Sequence, residues 1–141
     1  MFTPRREMDL RMVVFFLLCK MEDSRTIPTV NRFKFYEAVR VLLAILRAYF
    51  KDDRIFEAGG KTLAETMNEV ILDTESQGVL RVEPGEAEFS FVANQHEKLQ
   101  ENCAGISHND HWVLQNCCAV AVASYRNNVT VEGMFSPTAR V

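Results

Sequence analysis

Apolar residues recur at helical spacing along most of this chain, and one segment departs from that pattern by carrying no charge. His111 to Tyr125 reads HWVLQNCCAVAVASY, with no Asp, Glu, Lys or Arg between Asp110 and Arg126. A helix uncharged on every side predicts one with no solvent face. Asp110, or Asn109 before it, can cap its start, Arg126 suits the negative end of the helix dipole, and Asn127 and Asn128 can stop it. Cys117, Ala119, Ala121, Ala123 and Ser124 are small enough for neighbouring helices to approach closely, while Trp112, Leu114 and Tyr125 supply bulk. The run falls short of the ~20 residues that a membrane helix needs. The expectation is a helix buried in protein on nearly all sides, with the chain organised around it.

The remaining elements follow from periodicity and from their stop signals. Thr3-Pro4 predicts a first helix running to about Glu22, with Met8, Met12, Val13, Phe15, Phe16 and Cys19 as a broad apolar surface. Ser24 to Val30, with Pro28, breaks the chain, and Asn31 then caps a second helix reaching Lys51. In that helix Phe35, Val39, Leu42, Leu43, Leu46, Tyr49 and Phe50 form one side, opposite Glu37, Arg40, Ala44, Arg47 and Lys51. Thr62-Leu63-Ala64-Glu65 is a capping box that starts a third helix with the stripe Leu63, Met67, Val70 and Ile71, stopped by Gly78. Leu80 and Val82 alternate with Arg81 and Glu83, Pro84-Gly85 turns, and Phe89 and Phe91 alternate with Glu88 and Ser90, which predicts a β-hairpin. Asn94 and Glu97 repeat the capping-box logic for a short helix ending near Gly105. Beyond Asn127 the reading is a loose tail, with an edge strand at Val129 to Phe135.

The fold class expected is mainly α (α+β): a helical domain with one β-hairpin, in the order α-α-α-β-β-α-α around a buried C-terminal helix. Three helices followed by a hairpin resemble a winged-helix arrangement over about residues 5–92, with the hairpin as the wing. Helices over about 94–126 and a tail over 127–141 complete a single domain, since no repeat or low-complexity linker divides the chain.

Composition changes this picture only modestly. The chain has 141 residues, 48% hydrophobic and 25% charged, with a net charge of -3, so nothing global draws it to nucleic acid or anionic lipid. The distribution is uneven. Residues 1–60 carry more basic than acidic side chains, whereas residues 61–100 hold only Lys61, Arg81 and Lys98 as cations. Cys19, Cys103, Cys117 and Cys118 match no secreted disulfide framework and are read as thiols. Arg5 and Arg6 precede an apolar run, but Glu7 and Asp9 interrupt the basic region and no small-residue cleavage site follows. An intracellular, cytoplasmic protein without a membrane span is the expectation.

Three sets of side chains are candidates for function. Glu65, Glu69, Asp73, Glu75, Glu83, Glu86 and Glu88 make an acidic surface on the third helix and the wing. These repel a duplex and suit a basic protein partner. Arg40, Arg47 and Lys51 share one side of the second helix and form a patch for nucleic acid or an acidic partner. Cys103, His108, His111 and Cys117 offer zinc-type ligands at the spacing C-x4-H-x2-H-x5-C. That spacing matches no standard finger and draws one ligand from inside an apolar helix, so no metal or other cofactor is expected. Enzyme signatures are missing: Gly59-Gly60-Lys61-Thr62 retains only the tail of a phosphate-binding loop, and there is no nucleophile elbow. The reading is a non-catalytic protein-interaction or assembly subunit that works with another protein, within a larger complex. The alternative is a nucleic-acid-binding regulator of winged-helix type, which the acidic wing disfavours.

Overall fold

A computed structural model describes residues 9–51, 60–85 and 87–135, with the side chains of Met134 and Phe135 excepted. The predicted start at Thr3-Pro4, Glu86 and the chain beyond Phe135 lie outside these residues. The first helix, α1 (Leu10–Ser24), is capped instead by Asp9, whose carboxylate accepts from the Met12 N–H at 2.9 Å. It ends at Arg25, in the left-handed region at φ 54°. Every residue from Val13 to Cys19 is buried.

Strand β1 (Thr29–Asn31) follows Pro28, and Asn31 caps α2 (Arg32–Phe50) by accepting from the Lys34 N–H. Lys51 closes α2 at φ 57°. The capping box forms as expected at the start of α3 (Leu63–Ser76): the Thr62 hydroxyl accepts from the Glu65 N–H, and the Glu65 carboxylate from the Thr62 N–H. Gly78, at φ 79°, follows its end. The hairpin β2 (Leu80–Val82) and β3 (Glu88–Phe91) pairs Leu80 with Phe91 and Val82 with Phe89, and Gly85 sits in its turn at φ 91°.

The class is therefore mainly helical α+β, with more sheet than the hairpin alone. β1 pairs antiparallel with β3, Val30 opposite Phe89, in a three-stranded sheet of order β1-β3-β2. Its three residues, with a single apolar side chain, are too few for alternation to signal a strand. Phe89 meets Phe35 edge to face at 5.8 Å and ties the sheet to α2. The winged-helix-like order holds, but residues 51–62 separate α2 from α3, where a helix-turn-helix has a turn of about 3–4 residues.

Three other expectations need correction. The Asn94 and Glu97 capping box does not form: Asn94 is left-handed at φ 64°, and α4 (His96–Gln100) has no side-chain cap. A 3-10 turn (Glu101–Cys103) follows it. The tail forms a helix, α6 (Val131–Phe135), and no edge strand, because the Thr130 hydroxyl accepts from the Gly133 N–H and Arg40 holds Glu132 onto α2.

The last correction concerns the uncharged segment, α5 (His108–Arg126). Ser107 caps it, accepting from the Asp110 N–H, and only one side is buried. Val113, Leu114, Cys118, Ala121, Val122 and Tyr125 face the core, whereas Trp112, Gln115, Asn116, Ala119, Val120 and Ala123 are exposed. The segment buried at every position is Val13 to Cys19 of α1, which packs against α3, α4, the 3-10 turn and α5.

Candidate functional site

Two carboxylates of the acidic surface, Glu69 and Asp73, are paired from within the chain. The Arg11 guanidinium of α1 donates to Glu69 at 3.2 Å and to Asp73 at 2.5 Å, and Lys61 donates to Glu69 at 2.5 Å. Arg11 is held even further above its usual range, first by the hydrogen bond to Asp73. Glu65 is committed to the helix cap, and the Thr62 N–H and hydroxyl lower its carboxyl below the ordinary value. Glu75 on α3, and Glu83 and Glu88 beside the hairpin turn, complete the described part of the set. The structure thus joins α3 to α1 through charges that the sequence presents as mutually repelling.

On the basic side of α2, Arg40 is likewise engaged. Arg40 donates to Glu37 at 3.0 Å and to Glu132 of α6 at 2.6 Å, and half-buried Arg47 and exposed Lys51 follow along the helix. Arg40 thus meets acidic groups within the same chain.

Of the four Cys and His candidates, Cys103 and His111 line one cavity, and His108 and Cys117 lie apart from it. Cys103 lies 3.9 Å, sulfur to sulfur, from Cys19. His111 packs edge to face on Phe16 at 4.9 Å, while His108 lines a separate cavity with Trp112. Cys117 is half-buried and Cys118 buried, and desolvation raises both thiols above their ordinary value. Among the described residues the set whose potential ligand atoms all lie within 4.8 Å is Glu22, Asp23 and His96. There His96 Nδ1 meets Glu22 at 2.5 Å and Asp23 at 3.4 Å, and Glu22 raises the imidazole above its ordinary value.

The surface that sequence reasoning missed is the outward side of α5. The helix is fixed from below: the Asn31 N–H donates to the Tyr125 hydroxyl at 2.9 Å, Lys34 lies 4.3 Å above the Tyr125 ring, and Leu114 and Cys118 are fully buried. Facing outward are Trp112, 66% exposed, then Gln115, Asn116, Ala119, Val120 and Ala123. Some of its polar groups bond back along the helix or to the adjoining loop. Asn116 donates to the Trp112 carbonyl, Asn127 to the Ala123 carbonyl, and Arg126 is drawn to the Thr26 hydroxyl. At the N-terminal end Trp112 shares a cavity of about 600 Å³ with Tyr49, Phe50, His108, Asn109, Asp110 and Val113. Tyr49, 57% exposed, stands edge on to Phe50. The result is a neutral helical face with aromatic bulk at one end and small side chains at the other. Spacing carries the signal for it, since residues 112, 115, 116, 119, 120 and 123 share one side of a helix.

Among the described residues no helix is long and apolar enough to cross a membrane. Fold and surface together define a mainly helical α+β domain with one uncharged, outward helix face. Neither protein-family models, nor curated proteins, nor solved structures yield a match to this chain.

Proposed function

We propose that the protein is a non-catalytic assembly subunit that associates through the outward face of α5, and that its partner there is a second copy of the same chain. The observation that carries this reading is an exposed helix face without charge, bearing Trp112. Exposed faces ordinarily carry Lys, Glu, Asp and Arg, whereas buried interface centres are depleted of charge and enriched in Trp and Tyr. Desolvating Trp112, Ala119, Val120 and Ala123 strands no ion.

A second copy fits for two reasons. The chain is net negative, and this face lets two copies meet without opposing like charges. Trp112 at one end and Ala123 at the other are also complementary when two α5 helices run antiparallel about a two-fold axis, so that each indole covers the small residues opposite. Engagement of Glu69 and Asp73 by Arg11 makes the acidic side of α3 a less suitable docking face. Engagement of Arg40 by Glu132 weakens the nucleic-acid alternative in the same way.

A single pair of helices lies at the small end of interface sizes, so the association is expected to be concentration-dependent. Sedimentation velocity tests it. The native chain should shift from monomer to dimer as concentration rises, and Ala119→Glu, which places a carboxylate on the face, should remain monomeric with an unchanged melting temperature. A chain that stays monomeric at the highest attainable concentration, or an Ala119→Glu dimer, would refute the proposal.

A further inference from the structure

Cys19 and Cys103 come together although 84 positions separate them in sequence. Cys19 is on α1 and Cys103 ends the 3-10 turn, with the sulfurs 3.9 Å apart and sharing a hydrogen bond. Cys19 Sγ also lies 3.8 Å from the Leu99 carbonyl, to which its thiol can donate. The pair opens on a cavity of about 110 Å³ walled by Phe16, Lys20, Gln100 and His111, room enough for a peroxide-sized molecule beside the sulfurs. Lys20 stands 5.4 Å over the Phe16 ring at this cavity and supplies a positive charge.

The two thiols are unequal. Hydrogen bonding from Cys19, aided by Lys20, lowers Cys103 below the ordinary thiol range, whereas the shared bond and burial push Cys19 up. Cys103 is also the more exposed of the two.

We propose that Cys19 and Cys103 form a dithiol oxidation site that takes a peroxide-class oxidant, with Cys103 as the attacking sulfur and Cys19 as the resolving one. The Cys103 thiolate attacks one oxygen of hydrogen peroxide, the O–O bond breaks, and the departing hydroxide takes a proton to become water. Cys103 is then a sulfenic acid. The Cys19 sulfur attacks the Cys103 sulfur, the S–O bond breaks, the S–S bond forms, and the Cys19 proton leaves with the hydroxide as a second water. Two thiols and one peroxide give one disulfide and two waters, the two electrons passing from sulfur to oxygen. A thiol reductant reverses the bridge by exchange. Closing from 3.9 Å to the ~2.05 Å of a disulfide draws the 3-10 turn toward α1.

The test is cysteine mapping by mass spectrometry of the full chain after one equivalent of hydrogen peroxide. The expected product has lost two hydrogens, yields a single crosslinked peptide pair joining Cys19 to Cys103, keeps Cys117 and Cys118 alkylatable, and reverts with dithiothreitol. In Cys19→Ser, Cys103 should accumulate as a sulfenic acid captured by dimedone. In Cys103→Ser no bridge should form and Cys19 should stay reduced. The map of the native chain decides the matter even if a variant fails to fold. Four thiols still alkylatable after treatment, bridges that involve Cys117 or Cys118, or oxidation of Cys103 to a sulfinic acid without bridging would each overturn the proposal.

Discussion

α1 and α5 both contain a stretch without charge, Met12 to Cys19 in one and His111 to Tyr125 in the other, and they end in opposite environments. In α1 the stretch is built mainly of Val, Phe and Leu, and every residue from Val13 to Cys19 is buried among neighbours. In α5 the bulky apolar residues lie on the side facing α1 and α2, while the opposite side is mostly Ala, Gln and Asn, with Trp112 and Val120. Lack of charge therefore does not by itself report burial. Large apolar side chains all round a helix report it, because each needs contact with other protein atoms to leave water. A neutral face of small residues reports something else: a surface that can be desolvated cheaply.

The largest expected effects come from placing a carboxylate on the two sides of the same helix. Ala121 is fully buried on α5 and Leu17 on α1, so Ala121→Asp and Leu17→Asp should each abolish cooperative melting. A buried unpaired carboxylate costs several kcal/mol against a total stability of ~5–15 kcal/mol. Ala119→Asp, two positions from Ala121 but exposed, should melt close to the native chain by circular dichroism. A folded Ala121→Asp or an unfolded Ala119→Asp would reverse the assignment of the faces.

Cavity-forming substitutions sharpen the same contrast at smaller scale. Leu17→Ala and Leu114→Ala, both at fully buried positions, should lose about 2–5 kcal/mol in urea denaturation. Val120→Ala, at 40% exposure, should lose under about 0.5 kcal/mol. Similar losses at Leu114 and Val120 would mean that α5 is enclosed after all.

Arg11 tests how α1 is clasped from outside. Its contacts with Glu69 and Asp73 are half-exposed, so Arg11→Ala should cost about 0.2–1 kcal/mol, and the loss should shrink in high salt. A loss that salt leaves unchanged would assign the effect to packing of the side chain on Phe15, which Arg11 also overlies.

The smallest effect belongs to His96, which links α4 to the end of α1. The hydrogen bond to Glu22, aided by the charges of Glu22 and Asp23, raises its folded pKa, with burial and then Arg25 opposing. A raised imidazole contributes stability that is complete below the unfolded value of about 6.5 and is lost as pH rises through the folded value. The native chain should therefore lose slightly more melting temperature than His96→Gln between about pH 6 and about pH 8. Equal losses would show that the contact adds nothing to stability.

What could be read in the sequence was local. Asn31, Lys51, the Thr62 and Glu65 box, Gly78 and the Pro84-Gly85 turn each act within a few residues of themselves, and the bounds of α2, α3 and the hairpin followed from them. What could not be read depends on distant partners. β1 exists because β3 lies beside it, α6 is held by Arg40, and Arg11 reaches acids on another helix. The acidic residues were legible, but not the pairing of Glu69 and Asp73 with Arg11, and Cys103 was grouped with His111, with which it shares a cavity, while its sulfur neighbour Cys19 on a distant stretch of chain went unseen. The outward face of α5 was present in the spacing and was obscured by equating lack of charge with burial.

Trp112 is the single tryptophan of the chain, so its fluorescence reports on that face alone. Acrylamide quenching of this indole, measured across a concentration series, tests the α5 assembly directly. Quenching should be ready in dilute protein and fall as concentration rises, with a parallel blue shift of emission, and Ala119→Glu should show neither change. Quenching and emission that stay constant over the whole series would contradict the α5 assembly.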